Sequence, residues 1–184
     1  MAGSQTGTAL LVIDVQEAVL EGCAGVPGVL DRINALIARA RRAGAPIVFV
    51  QHEDPEDPEM TAGSPGWQLA AALERLAGDP VVAKTYRDAF AGTELTATLE
   101  RSATRRLVVT GSQSDFCVQT TALSALVHGY DVTLVSDAHT TTSARLAAEE
   151  LRAEAIIELV NARFSTLRHP GRMMEVLPAS GVVI

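Results

Sequence analysis

Several stretches of the chain are apolar at consecutive positions and too short for helices. They are residues 8–15 (TALLVIDV), 46–50 (PIVFV), 107–111 (LVVTG) and 131–135 (DVTLV). Continuous apolar runs rich in β-branched residues mark strands buried on both faces. Residues 79–83 read as a shorter strand and 155–159 as a sixth. Between these runs the spacing changes to that of helices. Residues 27–42 place Val29, Leu30, Ile33, Leu36, Ile37 and Ala40 on one face, with Pro27 suited to the first turn and Gly44 to the stop. Further helices are predicted over 67–76, over 93–101 with Thr93 at its start, over 143–154 and over 166–177. Residues 53–66, rich in Pro, Gly and acids, read as a long loop.

Strands alternating with helices predict an α/β fold: a Rossmann-like three-layer α/β/α arrangement with a mostly parallel sheet of five or six strands. No repeat, low-complexity segment or linker divides the chain. One domain over residues 1–184 is expected, with residues 1–7 a disordered lead-in.

The stretch 107–122, LVVTGSQSDFCVQTTA, combines a strand, a tight turn and a helix opening on Cys117. The helical part carries Val118, Ala122, Ala125 and Leu126 at helical spacing. Unpaired N–H groups at a helix start favour a thiolate, the reactive form of cysteine, so this geometry presents a nucleophile. The competing reading is a buried, inert thiol.

Ligands of parallel sheets bind beyond the carboxyl ends of the strands. The residues there are Asp14 and Gln16, His52 and Glu53, Lys84, the segment 112–117, and Asp137 with His139. Asp14 follows an apolar run and reads either as a structural acid held by a backbone N–H or as a general base for Cys117. Lys84 reads either as a solvated lysine or as the cation that keeps Asp14 ionised. Together the three form a Cys–Asp–Lys set able to attack an amide carbonyl, protonate the leaving amine and release the acid through a thioester.

Composition narrows the class. At 47% apolar and 20% charged residues the chain is an ordinary globular protein, and its net charge of −7 argues against nucleic acid as a partner. No apolar run approaches the length of a membrane span, and MAGSQTG carries no export signal. Two cysteines make no disulfide framework, so a cytoplasmic enzyme with reduced thiols is expected. No phosphate-cradling glycine motif is present. Gly22, Gly25 and Gly28 do not match the dinucleotide pattern, and Cys23 among them reads as a bystander. No cofactor is expected.

The segments ALLVIDVQ, PIVFVQHED, VVAKTYRDAFAGTEL and LVVTGSQSDFCVQTTALSALVHGYDVTLVSDAHTT occur in that order over residues 9–141. In this the chain resembles the isochorismatase-like cysteine hydrolase superfamily, which includes nicotinamidases, N-carbamoylsarcosine amidohydrolases and streptothricin hydrolase. The PIVFVQHED, PGWQL and VSDAHTT segments look most like the streptothricin-hydrolase branch, whereas residues 161–184 depart from it.

The resemblance implies a triad of Asp14, Lys84 and Cys117. It also implies a cis peptide between Ser112 and Gln113, and an oxyanion hole from the N–H groups of Gln113 and Cys117. Gln16, Phe90 and Thr93 match the family's recurring positions near the site. The expected substrate-binding set is Gln16, Trp67, Phe90 and Ser112, with Trp67 and Phe90 as apolar walls. Phe90 reads equally well as core. Family members that cleave the vinyl ether of isochorismate carry a non-nucleophilic residue in place of Cys117, so cysteine favours C–N hydrolysis of a small-molecule amide or carbamoyl group. The alternatives are the ether-cleaving activity and a binding protein that kept the fold. Nicotinamidases hold a metal near the end of the second strand. Here His52, Glu53 and Asp54 offer a single histidine, and the segment reads as a polar cleft wall. A homodimer or homotetramer follows from the family habit.

Overall fold

The computed structural model describes residues 7–147 and 149–184. Apart from Gly7, the expected lead-in lies outside them. Gly7 itself is tied to the sheet, its carbonyl accepting from the N–H groups of Arg105 and Arg106.

The strands are β1 (Thr8–Ile13), β2 (Ile47–His52), β3 (Val81–Lys84), β4 (Arg106–Ser112), β5 (Asp131–Thr140) and β8 (Met174–Leu177). They form one sheet in the order β3-β2-β1-β4-β5-β8. Every pairing in it is parallel. The chain winds outward from β1 to β3, then returns to lay β4 on the other side of β1. The gap between β1 and β4 is therefore the topological switch point, where ligands of such sheets bind.

Alternation along β1 sorts its side chains to two cores. Ala9, Leu11 and Ile13 join helices α3 (Leu95–Arg101), α4 (Gln119–Val127) and α5 (Ala153–Thr166) through Leu95, Leu99, Ala122, Val160 and Phe164. Leu10 and Val12 face α2 (Val26–Ala43) through Val29, Ile33, Leu36 and Ile37. These layers are the expected three. Helix α2 has Pro27 in its first turn and ends on Gly44 at φ 66°, as the spacing predicts. Among the described residues no helix is long and apolar enough to cross a membrane.

Four predicted elements are corrected. Residues 67–76 form turns rather than a helix. The Ala70 N–H bonds Val15, Leu69 bridges Gln16, and the Trp67 carbonyl accepts two side-chain amides, so tertiary partners take the backbone groups a helix would pair internally. Residues 143–154 hold a hairpin of β6 (Ala144–Leu146) and β7 (Glu149–Leu151) instead of a helix. The helix comes next, as α5, over the supposed sixth strand at 155–159. Its buried stripe of Ala153, Ile156, Val160 and Phe164 has helical spacing that the apolar run AIIELV conceals. The sixth strand is β8, within residues 166–177 where a helix is expected. A short helix, α1 (Glu17–Leu20), follows β1.

Gly111 is the tightest point of the sheet. It pairs with Ile13 at φ 121°, and a Cβ added there would lie 2.0 Å from the Ile13 carbonyl oxygen. Replacing Gly111 with Ala must push β1 and β4 apart directly beneath the site. The expected result is a loss of more than about 4 kcal/mol in guanidinium unfolding. A loss within 1 kcal/mol, roughly that of an ordinary substitution, would show that the strands part freely.

Candidate active site

Asp14 is the first residue past β1. Its N–H bonds the Val50 carbonyl, and its backbone turns to φ 47°, a left-handed conformation that Asp tolerates better than most residues. The turn leaves the carboxyl 1% exposed at the switch point. Lys84 ends β3. Alternation along VVAK buries Val82 and Lys84 together, and the Lys84 side chain runs inward beneath β2. Its ammonium lies 2.7 Å from Asp14 Oδ2 and 3.3 Å from Cys117 Sγ. The structure thus brings together three residues that the sequence places 70 and 33 positions apart.

No backbone N–H serves the Asp14 oxygens among the described residues. That removes the reading of Asp14 as an acid held by the main chain. Burial pushes its carboxyl above the usual carboxylate range, against the pull of Lys84 and a hydrogen bond from Cys117. Lys84, 3% exposed, is not a solvated lysine.

Cys117 differs from its expected setting in two ways. The helix does not open on it. A π-helical turn over Ser114–Val118 comes first and runs into α4, so Cys117 is the fourth residue of that turn. The N–H groups of Phe116 and Val118 both bond the Gln113 carbonyl, placing the Cys117 N–H between two donors already committed. Nor is the thiol acidified. Burial, and then the negative charge of Asp14, push it up to about 12, outweighing Lys84. Cys117 therefore rests as the thiol.

The Ser112–Gln113 peptide is cis, as the resemblance implies. Ser112 is fully buried, and its hydroxyl has no partner among the described residues. The Gln113 side chain turns away from Cys117 to donate to the Val19 carbonyl, with Cys23 Sγ at 3.6 Å. Cys23 is a free thiol whose burial raises it to about 11.

The remaining candidates divide. Gln16 is fully buried and its amide is committed to backbone. Nε2 donates to the His52 and Trp67 carbonyls, and Oε1 accepts from the His52 N–H. Trp67 accepts from Gln16 and Gln51 through its carbonyl, while its indole N–H is buried without a partner among the described residues. Phe90 packs in the core, stacked 4.5 Å from the His128 ring and 5.8 Å from that of Tyr130. Asp137 accepts from the Ala179 N–H and so fixes the C-terminal segment.

His139 lies within β5, which runs on past the strand predicted over 131–135, and is 1% exposed beneath the π-helical turn. Its Nδ1 is 2.7 Å from Ser114 Oγ and its Nε2 3.0 Å from Asn161 Oδ1. Asn161 in turn donates to the Ser136 carbonyl. This buried chain anchors the start of the Cys117 turn to α5. Sequence reasoning missed Asn161, because nothing local marks a helix residue as the partner of a strand histidine.

A doubly wound α/β sheet with a carboxylate, an ammonium and a thiol gathered at its switch point defines the class. The model of the Isochorismatase domain matches residues 8–167, and the chain belongs to the isochorismatase family of hydrolases. A streptothricin hydrolase of Streptomyces noursei is 43% identical over 136 residues, covering 72% of this chain and 49% of that protein. The chain spans about half the length of the two streptothricin hydrolases it matches. Nicotinamidase 3 of Arabidopsis thaliana is 28% identical over 165 residues, covering 82% of this chain and 79% of that one. The crystal structure of an isochorismatase family protein superposes with a TM-score of 0.81 at 33% identity, covering 95% of this chain and 99% of the other. An isochorismatase from Pseudomonas putida KT2440 gives 0.84 at 29% identity, with 96% and 90% covered.

Proposed function

We propose that the chain is a cysteine-dependent hydrolase of the C–N bond in a small-molecule amide or carbamoyl compound. The observation that carries this reading is the position of one buried ammonium against both the Asp14 carboxylate and the Cys117 thiol. A cation there holds Asp14 ionised as a base and is ready for the charge that sulfur develops. Streptothricin hydrolase, a ureidoacrylate amidohydrolase of Variovorax paradoxus and a nicotinamidase among the relatives support the amide class.

In the first half-reaction Asp14 takes the thiol proton while Cys117 sulfur bonds the substrate carbonyl carbon. The oxyanion is received by the N–H groups of Gln113 and Cys117. As the C–N bond breaks, Asp14 returns the proton to the leaving nitrogen, leaving a thioester. In the second, Asp14 deprotonates a water that attacks the thioester carbon. The C–S bond breaks, and the proton returns to sulfur as the acid departs. Ser112 is assigned a contact to the substrate, and Trp67 an apolar wall of the pocket.

The test is a panel of streptothricin, ureidoacrylate, nicotinamide and isochorismate, with mass spectrometry of the Cys117 peptide after rapid quench. The reading expects turnover of at least one C–N substrate with an acyl adduct on Cys117, and no turnover by Cys117→Ala. Cleavage of isochorismate that survives Cys117→Ala would replace it with ether hydrolysis. Binding without turnover of any member would replace it with a binding role.

A further inference from the structure

Lys84 has a third partner. His52 ends β2 directly opposite Lys84 in the strand register, and its Nδ1 lies 3.1 Å from the ammonium. An ammonium carries three protons and no lone pair. Here Asp14 Oδ2 is its ion-pair partner at 2.7 Å, and Cys117 Sγ and His52 Nδ1 lie at hydrogen-bond distance. For His52 to accept, Nδ1 must be bare, so the ring is neutral with its proton on Nε2.

The fold holds this residue on both sides. The fully buried Gln16 grips the His52 N–H at 2.7 Å and its carbonyl at 2.9 Å, and Glu53 N–H bonds the Lys84 carbonyl at 2.8 Å. A side chain on a solvated loop edge would need no such clamp.

We propose that His52 is a positioning residue of the site: as a neutral Nε2–H imidazole it takes the third ammonium proton of Lys84 and so confines that cation to the line between Asp14 and Cys117. The inference rests on the triad proposed above. It also gives Nδ1 of His52 an occupation other than a metal.

The groups that face His52 are Asp14 from β1, Lys84 from β3, and Glu53 with Asp54 from its own loop. Burial lowers its affinity for a proton, and Lys84 lowers it further, against the three acids. A protonated ring would set a second cation against the ammonium and give up the bond.

Two measurements test this. The first is the ring tautomer of His52 in the wild-type protein, read from long-range ¹H–¹⁵N correlations at neutral pH. A protonated Nε2 and a bare Nδ1 are expected, and the opposite tautomer or an imidazolium overturns the proposal.

The second uses iodoacetamide on Cys117, followed peptide by peptide against Cys23. Alkylation requires thiolate. With Asp14 as internal base, the rate climbs with pH until Asp14 ionises and then levels, so the knee of the profile reads Asp14's titration. Lys84 lowers that titration only while it is held in place. His52→Ala is expected to move the knee upward by about one pH unit or more, the usual size of an opposite-charge effect at this range. His52→Asn, whose side-chain oxygen falls near the position of Nδ1, returns it to the wild-type pH. An unmoved knee in His52→Ala, or an equal shift in both variants, shows that no acceptor is needed there and overturns the proposal. Should His52→Ala fail to fold, the wild-type tautomer and the His52→Asn knee still decide. Failure of every amide in the substrate panel, with the Nε2–H tautomer present, would sink the hydrolase reading and leave this one standing.

Discussion

Asp14→Asn is expected to abolish hydrolysis while making Cys117 easier to alkylate. The two effects have one cause. In the proposed mechanism Asp14 is the base that receives the thiol proton, and it is also the negative charge that, after burial, does most to keep the thiol protonated. Asparagine keeps the shape and removes both. Amide turnover then loses its proton carrier and should fall by about 10²- to 10⁴-fold.

Alkylation needs no proton for a leaving nitrogen, only thiolate. With Asp14 gone, Lys84 is the one charge on the sulfur, and the thiol titrates lower. Above the wild-type knee the variant's rate continues to climb about tenfold per pH unit while the wild type stays level. The lower basicity of the sulfur reduces this gain only in part. Peptide-resolved alkylation beside turnover of a C–N substrate checks both arms. A variant that alkylates more slowly than wild type above the knee would show that Asp14 activates the thiol in some way other than as its proton acceptor.

Lys84→Met should cost stability, and the cost should depend on pH. The change fills the same channel with an apolar chain but strips a fully buried carboxylate of its counter-charge. Removing one partner of a buried pair costs about 3–5 kcal/mol. The sign of the pH dependence follows from Asp14. Its folded-state titration already lies above the unfolded value of 3.8, and losing Lys84 removes the two largest influences that hold it down. A group with a raised folded-state pKa stabilises the fold below its unfolded value. That contribution is lost as pH rises through the folded value. Lys84→Met is therefore nearest to wild type in acid, where Asp14 is neutral in both, and furthest from it at about pH 8. Guanidinium melts at the two ends of this range measure the difference. A deficit that does not change with pH would mean the carboxylate finds another partner. Losing Lys84 raises the Asp14 titration further, which weakens it as the base of the proposed mechanism, so hydrolysis is expected to fall with the stability.

Both expectations depend on distances no linear reading supplies, yet much of the setting was legible. The runs TALLVIDV, PIVFV and DVTLV are apolar at every step because parallel strands between two helical layers are buried on both faces. Helix α2 declared itself through a stripe with a proline at one end and a glycine at the other. Once a parallel sheet is expected, its carboxyl edge is the place to look, and Asp14, Lys84 and Cys117 all stand there.

Legibility fails where the deciding partner is remote. Residues 67–76 carry apolar spacing enough for a helix, but their backbone bonds go to Val15 and Glu17, just past β1, and to the amides of Gln16 and Gln51. Over residues 143–177 the predicted elements are out of phase with the observed ones, because AIIELV serves a strand or one face of a helix equally well. Its role was settled by packing against β5.

Local chemistry by itself determined which residue types stand at the strand ends, and so the class of reaction proposed for this chain. Tertiary structure alone decided their state. It buried the carboxylate with the ammonium, raised the thiol instead of acidifying it, and used Gln16 to hold His52 against Lys84. Periodicity and strand-end position are properties of neighbouring residues. Burial, register and charge pairing arise only when strands distant in sequence lie side by side.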